Sequence, residues 1–339
     1  MADGACRLSR GDRLGWETTT LENEVLRVTV LPGKGADIVE LARIDSGVNA
    51  LFEAPWGLQP PGSPPREGSG GHAFLENYEG GWQSLFPNAG DPCSYAGETI
   101  PFHGEVATLP WDVLDAEASG DGVTLRMAVH CRRTPFTLER TLLLPDGSDG
   151  LEVTETATNE SSSEAHLVWG HHVAVGPPFL EAGCVLQAPA RTIVTIPELW
   201  EETARLEPGR RSDWPNGELR TGGTVDLRDV PGPEAGSHDD VYLTDLDAGR
   251  VAVENHRLGL VFRLDFDESL FRWLISWQAY GGAEAMPLAG SYALGIEPWT
   301  TRLPLEQAVA AGEAVAVAPG ERLTTTVRAT FGRLRAAER

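Results

Sequence analysis

The stretch Val123-Thr124-Leu125-Arg126-Met127-Ala128-Val129 alternates, with valine, leucine, methionine and valine separated by threonine, arginine and alanine. An extended chain turns successive side chains to opposite faces, so this period predicts a strand with one face in a core. The same period returns in residues 262–266, where Arg263 and Asp265 separate three apolar residues, and in residues 323–331, where Leu323, Thr325, Val327, Ala329 and Phe331 share a parity. Leu26–Leu31 and residues 136–143 and 151–156 read in the same way. Helical patterning is confined to residues 197–206, behind a proline suited to a first turn, and Leu305–Ala311. The 38 glycines and 24 prolines are spread throughout and favour many short elements. A ladder of strands without intervening helices predicts an all-β chain of large antiparallel sheets packed as a sandwich, with residues 1–339 forming one domain. Residues 59–71 and 230–237 read as excursions from that ladder, because strand patterns resume after each.

Composition narrows the function. With 41% hydrophobic and 23% charged residues, the chain can bury a sizeable core. Acidic residues outnumber lysine plus arginine by 50 to 27, a formal charge of −23 that would repel nucleic acid and anionic lipid. The single lysine, Lys34, lies in the turn-like Leu31-Pro32-Gly33-Lys34-Gly35, which argues against Schiff-base and pyridoxal-phosphate chemistry. Cys6, Cys93, Cys131 and Cys184 are widely and irregularly spaced, without the Cys-x-x-Cys of a zinc ribbon or redox pair. Residues 1–20 lack an apolar signal core, and nowhere do eighteen apolar residues run together, so a cytoplasmic protein is expected.

Three segments set a titratable side chain beside glycine or proline: Pro101-Phe102-His103-Gly104-Glu105, Trp169-Gly170-His171-His172 and Gly295-Ile296-Glu297-Pro298-Trp299. In an extended strand only one of His171 and His172 can enter a given pocket. His166 shares parity with His172, yet the His-x-His core of a cupin-like metal site is absent, so no metal centre is expected. Trp82, Trp111, Trp169, Trp277 and Trp299 lie in or near these segments, and aromatic faces among polar neighbours suit sugar rings.

In this order the pieces resemble the aldose 1-epimerase, or galactose mutarotase-like, superfamily. The resemblance rests on Gly80-Gly81-Trp82-Gln83 with Phe86-Pro87-Asn88, His103-Gly104 followed by Pro110-Trp111, and Gly170-His171-His172. It continues through His238-Asp239-Asp240-Val241-Tyr242-Leu243, Trp277-Gln278-Ala279-Tyr280-Gly281-Gly282 and the Glu297 segment. It implies a β-supersandwich with a sugar cleft on a concave face, and a small-molecule carbohydrate as partner. It further implies that Glu297 is the catalytic base, His172 the general acid and His103 a second histidine on the ring-oxygen side. Asp239 or Asp240 would bind a hydroxyl, and Asn88, Gln83, Trp82, Trp277 and Trp299 would complete the sugar site. Family members carry an arginine before the first histidine, whereas this chain has no lysine or arginine between Arg66 and Arg126.

Interconverting the anomers of a free aldose takes a proton from the C1 hydroxyl and delivers one to the ring oxygen, with no metal or organic cofactor. A carboxylate is ionised near neutral pH, and acidic surroundings are expected to raise a histidine into an effective acid. The chain carries −23 and its adjacent pairs Arg132-Arg133 and Arg210-Arg211 lie outside the matched segments, so a neutral aldose or its derivative is expected rather than a sugar phosphate. The alternatives are a non-catalytic carbohydrate-binding protein, another sugar isomerase on the same fold, or a glycosidase pairing Glu297 with Glu105 or Asp239.

Overall fold

A computed structural model describes residues 6–64, 72–284 and 286–334. Two large sheets carry most of the strands. One runs from the edge strand Arg7–Arg13 through Trp16–Glu22, Leu26–Leu31, Asp37–Arg43 and Trp82–Leu85 to Gly170–Val175. It continues through Tyr292–Gly295, Trp273–Tyr280, Ser237–Thr244 and Thr192–Thr195 to Arg211–Asp213. A twelfth strand, Glu297–Trp299, pairs with both Gly170–Val175 and Trp273–Tyr280. The other sheet has eight strands, in the order Val185–Gln187, Arg250–Asn255, Leu260–Asp265, Arg322–Arg333, Gly150–Asn159, Phe136–Pro145, Gly122–His130 and Asp112–Ser119. The ladders are antiparallel, and the architecture is the galactose mutarotase-like all-β sandwich.

The alternating stretch at 123–129 lies within Gly122–His130, and its register against Phe136–Pro145 sets Leu125 opposite Leu142 and Val129 opposite Leu138, all buried. Leu305–Ala311 is a helix that ends at Gly312, whose φ of 70° is a left-handed cap. Residues 197–206 are not helical. Their polar groups are drawn into tertiary contacts instead: the Thr203 hydroxyl donates to the Gly282 carbonyl, and the amides of Arg205 and Leu206 donate to Asp239. Of the 59–71 excursion, residues 65–71 lie outside the described residues. Residues 230–237 contain the short 3₁₀ turn Pro233–Ala235 ahead of Ser237–Thr244. Among the described residues, no helix is long and apolar enough to cross a membrane.

Between the sheets sits a buried polar network. Arg140 and Glu155, from the eight-stranded sheet, are joined at 2.7 Å, and Arg140 also donates to the Ala36 carbonyl at 2.7 Å. Ser84 and the Trp169 indole bond the same carboxylate. The Trp82 indole donates to His171 Nδ1 at 3.2 Å, while His171 Nε2 lies 3.6 Å from Glu155. Lys34 is likewise interior, held between Asp37 and Glu79. Burial opposes its charge, but those carboxylates outweigh it and keep the amine protonated, unlike a Schiff-base lysine.

Candidate active site

Cross-strand register gathers one set of side chains on the outer face of the twelve-stranded sheet. Directly opposed residues share a face, and the ladder opposes Ile275 to Glu297, Trp273 to Trp299, Asp240 to Trp277, Tyr242 to Ile275 and Gly170 to Trp299. His172, two residues beyond Gly170, falls on that face, and His171 points into the buried network. The result is a cavity of about 320 Å³ whose lining includes His103, His172, Asp240, Tyr242, Glu297 and Arg302. That volume is at the lower end for small-molecule sites.

Local structure aims each group. His103 stands in a tight turn at φ 60°, and its Nδ1 accepts the Gly90 amide at 3.0 Å. A neutral imidazole so held carries its proton on Nε2. The short helix Ala73–Asn77 brings Phe74 against His103, with ring centroids 4.7 Å apart, and Tyr78 against His172 at 5.1 Å. Trp299 packs edge-on to His103 at 5.7 Å, and Trp277 lies 5.9 Å from His172. Within this aromatic enclosure His172 Nε2 lies 3.6 Å from Glu297 Oε1.

Burial dominates the electrostatics. It lowers His172 to about 3, and it holds His103 well below the usual range with help from the neighbouring His172 and His72. Burial, reinforced by Asp240, pushes Glu297 well above the carboxylate range, and burial raises Asp240 itself to about 7. Burial thus shifts both groups in the direction opposite to the ionised carboxylate and raised histidine expected from the sequence, because loss of water outweighs the acidic surroundings.

Four residues expected at the sugar site do not line the cavity. Trp82 belongs to the core, where its indole is committed to His171. Gln83 lies directly opposite His172 on the neighbouring strand but is buried, donating to the Gly80 carbonyl at 2.6 Å. Asn88 fastens the helix start, its Oδ1 accepting the Leu305 amide at 2.7 Å. Asp239 sits on the opposite face from Asp240 and accepts from Arg205 Nε at 2.6 Å. Glu105 is spent on the Arg132 and Arg133 amides and the Thr134 hydroxyl. Conversely, the cavity gains Phe74, Tyr78, Asp91 and Arg302, which lay outside the matched segments. Arg302 supplies a guanidinium from just beyond Trp299, where the signal was simply proximity to the Glu297 segment.

Two glycines make room for this arrangement. A methyl at Gly295 would lie 2.5 Å from Glu297 Oε1 and 2.8 Å from Trp277 Cβ, and one at Gly170 would lie 2.8 Å from the Trp299 ring. Gly295→Ala is expected to displace the Glu297 carboxyl and to reduce turnover by about 10²-fold, the scale of a 1 Å misplacement. Steady-state kinetics beside a circular dichroism spectrum check this, and normal turnover in a folded Gly295→Ala protein would contradict it.

A family model described as "Domain of unknown function (DUF4432)" matches residues 13–330. No curated protein matches the chain. Among solved structures, a protein from Synechocystis sp. PCC 6803 is similar at 20% identity, over 95% of this chain and 97% of that one, with a TM-score of 0.68. A galactose mutarotase-like protein from Clostridium acetobutylicum is similar at 17% identity, over 97% and 99%, with a TM-score of 0.65. A galactose mutarotase related enzyme from Lactobacillus acidophilus is similar at 15% identity, over 94% and 98%, with a TM-score of 0.63. At these identities the likeness is one of fold.

Proposed function

Because the chain belongs to the DUF4432 family, whose description assigns no activity, we propose from the cavity itself that the protein interconverts the anomers of a free aldose by acid–base ring opening. The observation that carries this reading is the His172–Glu297 pair, two groups able to exchange protons, 3.6 Å apart in an aromatic enclosure. Ring opening needs that inventory: one group accepts the C1 hydroxyl proton while the other gives a proton to the ring oxygen. The C1 oxygen becomes a carbonyl as the C1–ring-oxygen bond breaks, and the pair's proton count is unchanged. Rotation about C1–C2 offers the other carbonyl face, and the same groups with exchanged roles close the ring. Entering sugar hydroxyls can hydrogen-bond a carboxylate and favour transfer of its proton to His172, which restores Glu297 as base and His172 as acid. His103, donating through Nε2, would hold the ring-oxygen side, and Asp240 would bind a hydroxyl. Trp277 and Trp299 would stack on the apolar face of the sugar.

The test is a panel of freshly dissolved α-aldoses followed by NMR. Enzyme-accelerated anomer exchange for at least one sugar is expected. Ligand-induced thermal stabilisation without acceleration would instead identify a carbohydrate-binding protein, and release of phenol from aryl glycosides would identify a glycosidase.

A further inference from the structure

Building on that reading, we propose that the aldose carries an anionic group, a phosphate or a carboxylate, at the end remote from C1, received by Arg302, Arg210 and Arg211. A concavity of about 250 Å³ lined by these arginines, with Thr195, Pro197 and Trp273, opens beside the catalytic cavity. Arg302 lines both spaces, which puts them side by side. Its guanidinium lies 5.5 Å from the centre of the Trp273 ring and has no carboxylate partner among the described residues. Stacking fixes the plane of a guanidinium and leaves its edge donors free for an oxyanion.

Arg210 and Arg211 reach this place because Thr192–Thr195 pairs with Arg211–Asp213, setting Val194 opposite Arg211. Separation in sequence from the matched segments, one of two grounds for expecting a neutral aldose, does not keep Arg210 and Arg211 away from Arg302 in the fold. Their present partners are Glu218 at 3.6 Å and Asp245 at 2.9 Å, and both arginine side chains are more than half exposed, at 56% and 62%. Such exposed pairs are weak and yield readily to a better anion. The chain as a whole carries −23, so its distant field disfavours an anion. Three arginines lining one basin, against the two carboxylates of Glu218 and Asp245 that pair with them, are a local exception. Among the described residues lining the catalytic cavity, Arg302 is the one lysine or arginine, and burial disfavours the charged form of both lining histidines. Forked, charge-assisted contacts suit phosphate and carboxylate alike.

Calorimetry at matched ionic strength, comparing 1,5-anhydroglucitol with its 6-phosphate, tests the basin without turnover, since neither has an anomeric hydroxyl. The phosphate is expected to bind at least about tenfold tighter, with most of that preference lost in Arg302→Met and part of it in Arg211→Gln. Glucuronate against glucose distinguishes a carboxylate preference from a phosphate one. Equal or weaker binding of both anions, or a preference unchanged in a folded Arg302→Met protein, would overturn the inference. Anomer exchange on neutral sugars would then leave the activity reading standing. An anion preference without anomer exchange on any sugar would sink the activity reading and keep the basin.

Discussion

Glu297→Gln is expected to lower kcat about 10²–10⁴-fold while leaving the fold intact, because an amide keeps the shape of the carboxyl and can neither accept nor deliver the proton. Stability should move the other way. Burial raises the Glu297 pKa in the folded protein, so between the unfolded value of ~4.3 and the folded one the native state binds more protons than the unfolded state. That contribution to stability is complete below ~4.3 and is lost as pH rises through the window. Glutamine has no such loss, so the variant should melt above the wild type at pH 7.5 and converge with it near pH 4. Kinetics and melting curves on one preparation of each protein check both halves. A near-normal kcat would remove Glu297 from the mechanism, and a lower Tm at pH 7.5 would show that its carboxylate is structural.

Arg140→Met carries the largest expected loss of stability. The guanidinium is 1% exposed and its partner Glu155 fully buried, so methionine would leave an uncompensated carboxylate between the sheets. Breaking such a pair from one side costs about 3–5 kcal/mol, which corresponds to a drop in Tm of about 4–7 °C for 339 residues. Burial alone would raise the Glu155 pKa, but Arg140 and then His171 outweigh it and hold it below the usual range. The pair therefore stabilises the protein above the unfolded carboxyl pKa, and that stabilisation fades as pH falls through the folded value. Adding Glu155→Gln to Arg140→Met should recover part of the loss, since the amide carbonyl can still accept from Trp169 without a buried charge. No recovery in the double variant would mean that the cost lies in lost packing.

The sandwich was legible because strands are local: the alternation at 123–129 singles out Val123, Leu125, Met127 and Val129, all of which join the core, whereas Leu26–Leu31 is buried on both faces except at Arg27. The site was legible where a motif and a strand coincide. Gly170-His171-His172 and Gly295-Ile296-Glu297 sit on adjacent strands, and parity alone separates His172 from His171. The residues that escaped reading are those whose roles depend on distant partners. Asp239 and Asp240 differ only in which face the register against Trp273–Tyr280 assigns them. Asn88 is committed to a helix more than two hundred residues away. The failed helix at 197–206 has the same origin, since its amides are claimed by Asp239. Nor could spacing reveal that burial would lower the His172 pKa.

The two-sided strand Gly170–Val175 has a consequence for how this protein can change over generations. Its neighbouring histidines face different compartments, one the solvent-side cavity and the other the interior carboxylate of Glu155. Point substitutions can alter either compartment separately. Gain or loss of one residue within the strand cannot, because it would exchange the two faces at once and send His172 toward Glu155. Lineages that diverge in substrate should therefore vary the loops and the residues around this strand while its length stays fixed.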